Sequence, residues 1–160
     1  MTVGHALVWL HLLAAVSWIG GMVFLSLVLV PMLRHESFRA QRGPLIRAAA
    51  LRFRLVVWVA VGTLLATGPL LALQRGWSPV EPGSWPAALI VKLSLVAVLL
   101  ALTGAHDWFI GPRVGRILQT PDSSRTESER LLIAGSSWLP RVSLLLALLI
   151  LFAAVILARL

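Results

Sequence analysis

Four stretches of the chain carry almost no formal charge, and each is long enough to cross a lipid bilayer as a helix. They run from Leu12 to Leu33, from Leu55 to Leu73, from Trp85 to Ala105 with Lys92 as the one interruption, and from Val142 to Ala158. About 20 apolar residues in a helix span the hydrocarbon core, and backbone groups in lipid must find their hydrogen-bond partners within the segment. The sequence therefore predicts an all-α integral membrane protein.

The composition agrees with this class and excludes several functions. Hydrophobic residues make up 59% of the chain and charged residues 12%, whereas about 25% charged residues is usual in soluble domains. The sequence contains no cysteine, which excludes disulfides, zinc-thiolate sites, iron–sulfur clusters and covalently attached haem. It also lacks a glycine-rich phosphate loop and a Ser-His-Asp set, so neither a kinase nor a hydrolase function has support.

Basic residues predict the orientation of the spans. Most of them lie in or beside two loops, the first with Arg34, Arg39, Arg42, Arg47, Arg52 and Arg54 and the second with Arg113, Arg116, Arg125, Arg130 and Arg141. Loops rich in Lys and Arg stay in the cytoplasm, so both termini are expected to face outward from the cell's inner (plasma) membrane. This topology and contact with the lipid bilayer account for the net charge of +8, and no nucleic-acid partner is expected.

The fold expected from these patterns is an up-and-down four-helix bundle with N-out/C-out topology, formed by residues 1–160 as a single domain. Its spans cover about 4–33, 55–73, 85–110 and 138–159. Ser124 and Glu127 match the S-x-x-E capping box, which predicts that the fourth helix begins near Arg125. Pro140 is expected to kink that helix. Gly43-Pro44 marks the expected start of a cytoplasmic extension of the second helix.

Ionisable side chains inside the spans are the candidate functional residues, because such groups are costly in lipid and usually face the protein interior. Helical phase places His11 on one face with Trp18 and Met22, and it aligns Arg52 with Thr63 and Thr67 on the next helix. Neutral imidazole is a good ligand for haem iron and for copper. Depth along the helices permits an outer site, with His11 and either Lys92 or His5, and a separate inner site with His106 and His35.

Each candidate also has a purely structural interpretation. His11 could hydrogen-bond to a Ser or Thr of a neighbouring helix, and Lys92 could extend its ammonium group to the membrane surface. His35 could be a solvated loop residue, and His106 could form an interfacial polar pair with Asp107. Met22 could simply fill space in the packing.

The first three spans resemble a known family. WLHLLAAVSWIGGMVFLSLVLVPMLR, RFRLVVWVAVGTLLATG and WPAALIVKLSLVAVLLAL are similar to the first three helices of the copper-resistance D (CopD) domain family. The chain also resembles the HemJ type of protoporphyrinogen oxidase, a small four-helix membrane protein with b-type haem. That resemblance implies haem-related roles for His11, for Lys92 and for Arg52 or Arg54. Thr103 stands where that group carries a second histidine.

Three functions are consistent with these observations. The leading hypothesis is a membrane b-type haem protein with a redox role, in which His11 is one axial ligand and Lys92 is either the opposite ligand or the partner of a haem propionate. Arg52 and Arg54 would serve a propionate only if the haem lay toward the cytoplasmic side, on His106. A quinone or other electron partner and a homodimer would fit this role, and by resemblance the enzyme would be a haem-dependent oxidoreductase. The alternative is a copper-binding or copper-transport module that uses His11, Met22 and His5. In the third, the chain has no cofactor and acts as a structural or partner-binding subunit.

Overall fold

The computed structural model describes residues 2–38, 40–77, 80, 81, 83 and 85–159, so Arg39 lies outside the described residues. Four long helices account for most of this part of the chain: α1 (Val3–Met32), α2 (Arg42–Gln74), α3 (Ala87–Ile117) and α4 (Glu127–Ala158). Each is long and apolar enough to cross a membrane, and no strand occurs among the described residues. The predicted all-α membrane-spanning class is therefore confirmed. The outward orientation of the termini and the single-domain organisation stay predictions.

The chain divides into two compact units, Met1–Trp85 and Pro86–Leu160, and each is a helical hairpin. In the first hairpin α1 packs antiparallel on α2, so that Gly4 lies against Gln74 and Gly21 lies against Phe53. Because lipid tails are as apolar as leucine, helices in a membrane associate through close packing of small residues. Ala14 of α1 is accordingly among the buried residues of this contact.

The second hairpin has the same plan. The apolar part of α3 packs along Leu139–Ala158 of α4, and its last segment, Gly111–Ile117, packs against Glu127–Ser136. Large side chains of α3, such as Leu99, are buried together with small ones of α4, such as Ala147.

Helices α1 and α3 each contain one wide π-helical turn, Leu25–Leu29 in α1 and His106–Ile110 in α3. Each turn ends just before a proline, Pro31 in α1 and Pro112 in α3. Proline has no backbone N–H and clashes with the carbonyl four residues earlier, which interrupts the ordinary hydrogen-bond ladder. The wide turn restores pairing at these points, since in α3 the Gly111 N–H donates to the His106 carbonyl.

The start of α4 differs from the sequence prediction. The capping box is formed by Thr126 and Glu129, with the Thr126 N–H donating to Glu129 Oε2 at 2.9 Å and the Glu129 N–H donating to Thr126 Oγ1 at 3.4 Å. The predicted pair of Ser124 and Glu127 was wrong by two residues, because Ser124 Oγ donates instead to the Pro121 carbonyl. Helix α4 therefore begins at Glu127.

Arg125 explains why α4 does not begin earlier. Its guanidinium donates to the Thr120 carbonyl at 2.9 Å and to the Ile117 carbonyl at 3.3 Å, so it holds the end of α3 and stays in the loop. Helix α4 is interrupted between Glu127–Ser136 and Leu139–Ala158. Pro140 lies in the first turn of the second segment, as expected for a helix kinked at proline.

Candidate metal site on the first hairpin

A hydrogen bond between histidine and threonine joins the two helices of the first hairpin. His11 Nδ1 lies 2.8 Å from Thr67 Oγ1, and the two residues are 56 positions apart in the sequence. Thr67 is a buried polar residue, with 5% of its surface exposed. His11 is half-buried. The helix-to-helix hydrogen bond anticipated as the structural interpretation of His11 is therefore present.

The direction of this hydrogen bond determines which ring nitrogen of His11 carries the proton. Thr67 Oγ1 donates to the carbonyl of Thr63 at 2.7 Å, one turn earlier on α2. A hydroxyl has a single proton to donate and two lone pairs to accept with. Because that proton goes to Thr63, the His11 ring is the donor through Nδ1–H. In the neutral imidazole, Nε2 then carries the lone pair.

Histidine ligands of metals in proteins are commonly held by a hydrogen bond of this general kind. A metal-bound imidazole usually donates its second ring N–H to an oxygen acceptor, which fixes the tautomer and orients the ring. Thr67 supplies that oxygen, and the Thr63 carbonyl in turn fixes the threonine hydroxyl. The ring lies beside Gly68 of α2, where a Cβ would be in ordinary van der Waals contact with His11 Cε1, at 3.6 Å. The hydrogen bond to Thr67 thus fixes the orientation of the His11 ring within a membrane-spanning helix.

The other candidates on this hairpin lie away from the His11 ring. His5 is exposed, with Nδ1 2.6 Å from Thr2 Oγ1, and His35 is exposed, with Nδ1 3.0 Å from Ser37 Oγ. Met22 follows His11 by eleven residues on the same regular helix, a rise of about 16 Å. Among the described residues, no three His, Asp or Glu side chains come together as a metal-ligand group.

Arg52 and Arg54, proposed to serve a haem propionate, lie on α2 and are exposed. They precede Thr67 by 15 and 13 residues on a continuous helix, which places them roughly 20 Å or more from the His11–Thr67 pair along the helix axis. The hairpin therefore does not bring these arginines to the His11 ring.

Two candidates belong to the second hairpin. Lys92 is half-buried near the beginning of α3 and has an interaction within the chain. His106 opens the π-helical turn, with Nδ1 3.2 Å from Asp107 Oδ1, and the two side chains are 43% and 14% exposed. This is the predicted polar pair. Fourteen residues separate Lys92 from His106, a rise of about 21 Å, so they do not share a site.

Thr67 belongs to the candidate site, but it is not among the site residues predicted from the sequence. It was assigned to a polar face of the second helix together with Thr63, without a partner. The signal was present in the sequence, because two threonines four residues apart form a hydroxyl-to-carbonyl chain on one helix face. What the sequence does not give is the antiparallel register that places Thr67 opposite His11.

A family model described as copper resistance protein D matches residues 47–158, more than two thirds of the chain. The matched segment contains Thr63, Thr67 and Lys92 and begins after His11. No curated protein and no solved structure matches the chain.

Proposed function

The chain belongs to the copper resistance protein D family, and from that premise we propose that it binds copper within the membrane, with His11 Nε2 as a ligand. The observation that carries the proposal is the hydrogen-bonded series from His11 through Thr67 to the Thr63 carbonyl. These hydrogen bonds favour the tautomer in which Nδ1 carries the proton and Nε2 carries the lone pair that a metal ion would accept. They also hold the ring in place, as the partners of metal-bound histidines do.

The chemistry of the donors favours copper(I) as the bound ion. The imidazole and the two threonines are uncharged, and no group of three His, Asp or Glu residues is present among the described residues. Copper(II) favours tetragonal sites with several nitrogen and oxygen ligands, and no group of that size occurs among the described residues. The cost of moving an ion into low dielectric rises with the square of its charge, so a monovalent ion is also the less costly one to bring into the bilayer.

Transfer of copper fits this site better than permanent storage. A closed structural metal site usually has four protein ligands. Among the described residues, no group of three or more His, Asp or Glu side chains could hold a metal ion. Conduction requires that an ion bind well enough to enter and weakly enough to leave. We therefore assign His11 the role of a copper contact in a transport module. The haem hypothesis gains no support from the family match, and it becomes an outcome of the test.

The test is metal and haem analysis of the purified full-length chain. The protein is loaded with copper(I) under reducing conditions, freed of excess ion, and examined by elemental analysis and by absorbance. We expect bound copper, no Soret band, and loss of most of the copper in His11→Ala. His5→Ala and His35→Ala are matched controls, since each removes an exposed imidazole held by a local hydroxyl, and they should retain copper.

Two results would overturn the proposal. One is a stoichiometric b-type haemochrome with no bound copper, which would restore the haem hypothesis. The other is full copper binding by His11→Ala together with loss in His106→Ala, which would move the site to the second hairpin. His11→Ala is expected to fold, because Thr67 keeps its hydrogen bond to the Thr63 carbonyl. A thermal melt of each variant checks this.

We further propose that the arginine-rich loops face the cytoplasm of a cell's inner membrane. The chain has no cysteine, so single-cysteine variants report orientation cleanly. With a membrane-impermeant maleimide on intact cells, Gly83→Cys should be labelled, whereas Ser124→Cys should be labelled only after lysis. The reverse pattern would invert the topology.

A further inference from the structure

One end of the second hairpin combines exposed arginines with exposed tryptophans. Helix α3 leaves its apolar stretch at the π-helical turn and continues as Gly111–Ile117, which carries Arg113 and Arg116, both exposed. On α4 the corresponding change occurs at the break before Leu139, where Trp138 is 61% exposed. We define Arg113, Arg116, Trp138 and Arg141 as the arginine surface.

The helix lengths place this surface at a membrane boundary. Ala87–Ala105 of α3 and Leu139–Ala158 of α4 have 19 and 20 residues, about the thickness of the hydrocarbon core. The arginine surface lies at the corresponding ends of these two apolar segments. Tryptophan concentrates at that depth because its ring is amphipathic. Trp108, 64% exposed, lies at the same end of the hairpin.

The position of the Arg141 side chain supports this depth. Arg141 is the third residue of the apolar segment, and its guanidinium lies 4.7 Å from the centre of the Trp138 ring. Side chains on a helix lean towards its N-terminus, so the arginine reaches back out of the apolar segment towards the boundary. The cation–π contact favours a position of the guanidinium beside the Trp138 ring. A restricted cation loses less entropy on binding an anion than a mobile one.

Two other charged residues near this end, Arg125 and Glu129, are engaged within the protein. Arg125 donates to the carbonyls at the end of α3, and Glu129 accepts from the Thr126 backbone. Arg125 therefore fixes the position of Gly111–Ile117, while Glu129 is committed to the helix cap. The cations of the arginine surface are all arginines, whose planar fork matches phosphate oxygens bidentately, unlike the point charge of lysine.

We propose that the arginine surface binds the phosphate groups of anionic phospholipids, with Arg141 on Trp138 at its centre. The partner is a lipid of the bilayer because the surface lies at headgroup depth and carries exposed aromatic rings that suit the interface. The basis for this proposal is independent of copper binding on the first hairpin. Each arginine near a membrane surface contributes about fivefold in affinity for anionic lipid.

The test is native mass spectrometry of the full-length protein with an equimolar mixture of phosphatidylglycerol and phosphatidylcholine. We expect preferential binding of phosphatidylglycerol, reduced at least about tenfold in the double variant Arg113→Gln/Arg141→Gln. The matched control is Arg75→Gln/Arg159→Gln, which removes the same charge elsewhere, including an arginine 5.4 Å from the Trp77 ring. The control should keep its preference.

An equal loss in both double variants would show an effect of net charge alone and would overturn the proposal. Displacement of phosphatidylglycerol by millimolar inorganic phosphate would identify a free-phosphate site and would also overturn it. Trp138→Leu, which keeps every charge, should give a smaller loss than the double variant, because the guanidinium of Arg141 is then no longer held in place. If Trp138→Leu kept the full preference for phosphatidylglycerol, the Trp138 ring would not be part of the site.

Discussion

Replacing Thr67 with valine tests whether the hydrogen bond to His11 matters for copper binding. Valine has nearly the shape of threonine, so the packing at this buried position is kept while the acceptor for the His11 Nδ1–H is lost. Loss of the oxygen partner of a metal-bound histidine typically weakens metal binding about 10- to 100-fold. We therefore expect a loss of about 1.4–2.7 kcal/mol in copper(I) binding free energy for Thr67→Val.

The assay is competition with a chromogenic copper(I) chelator in detergent solution. Thr67→Ser keeps the hydroxyl and should bind within about threefold of the unmodified protein, a difference below 1 kcal/mol. Thr103→Val is the matched control, since Thr103 Oγ1 donates to the Leu99 carbonyl at 2.8 Å in the same way as Thr67 does to Thr63. Unchanged affinity in Thr67→Val, or an equal loss in Thr103→Val, would refute the assigned role of Thr67.

Two further predictions concern stability, measured by thermal unfolding in detergent. Gly21→Ala should destabilise the first hairpin by about 1–3 kcal/mol, because the new Cβ would lie 2.8 Å from Phe53 Cζ. Gly20→Ala, whose Cβ would have no atom within 4 Å, should be neutral or stabilising. Equal effects of the two substitutions would contradict the packing described. Thr126→Ala should lower the free energy of unfolding by about 1 kcal/mol, because the cap of α4 is lost. Ser124→Ala should lower it by less. The opposite order would support the capping box of Ser124 and Glu127 predicted from the sequence.

The spans could be predicted from sequence because their signal is local. Long uncharged runs are costly outside lipid, and the four helices occur where such runs lie. The helices extend further than the runs, since a helix does not end where the hydrocarbon ends. Helix α2 begins at Arg42, close to the predicted extension at Gly43-Pro44, because proline is favoured in a first turn.

Features that depend on competition between overlapping motifs, or on the register of two helices, could not be predicted from the sequence. Two S/T-x-x-E frames overlap before α4, and spacing alone does not choose between Ser124 and Thr126. The choice follows from Arg125, which binds carbonyls at the end of α3 and keeps the chain out of the helix until Glu127. The same limit applied to the site, where His11 and the threonine face were both recognised but their meeting depends on the antiparallel register.

The most direct test of the central claim is the side-chain ¹⁵N NMR spectrum of histidine-labelled protein, recorded before and after addition of copper(I), with His11→Ala used for assignment. The geometry predicts that His11 Nδ1 is protonated in the free protein and that copper(I) shifts the Nε2 resonance while Nδ1 keeps its proton. A His11 ring protonated at Nε2 alone, or one whose resonances do not move when copper(I) binds, would contradict the claim that this imidazole is the copper ligand.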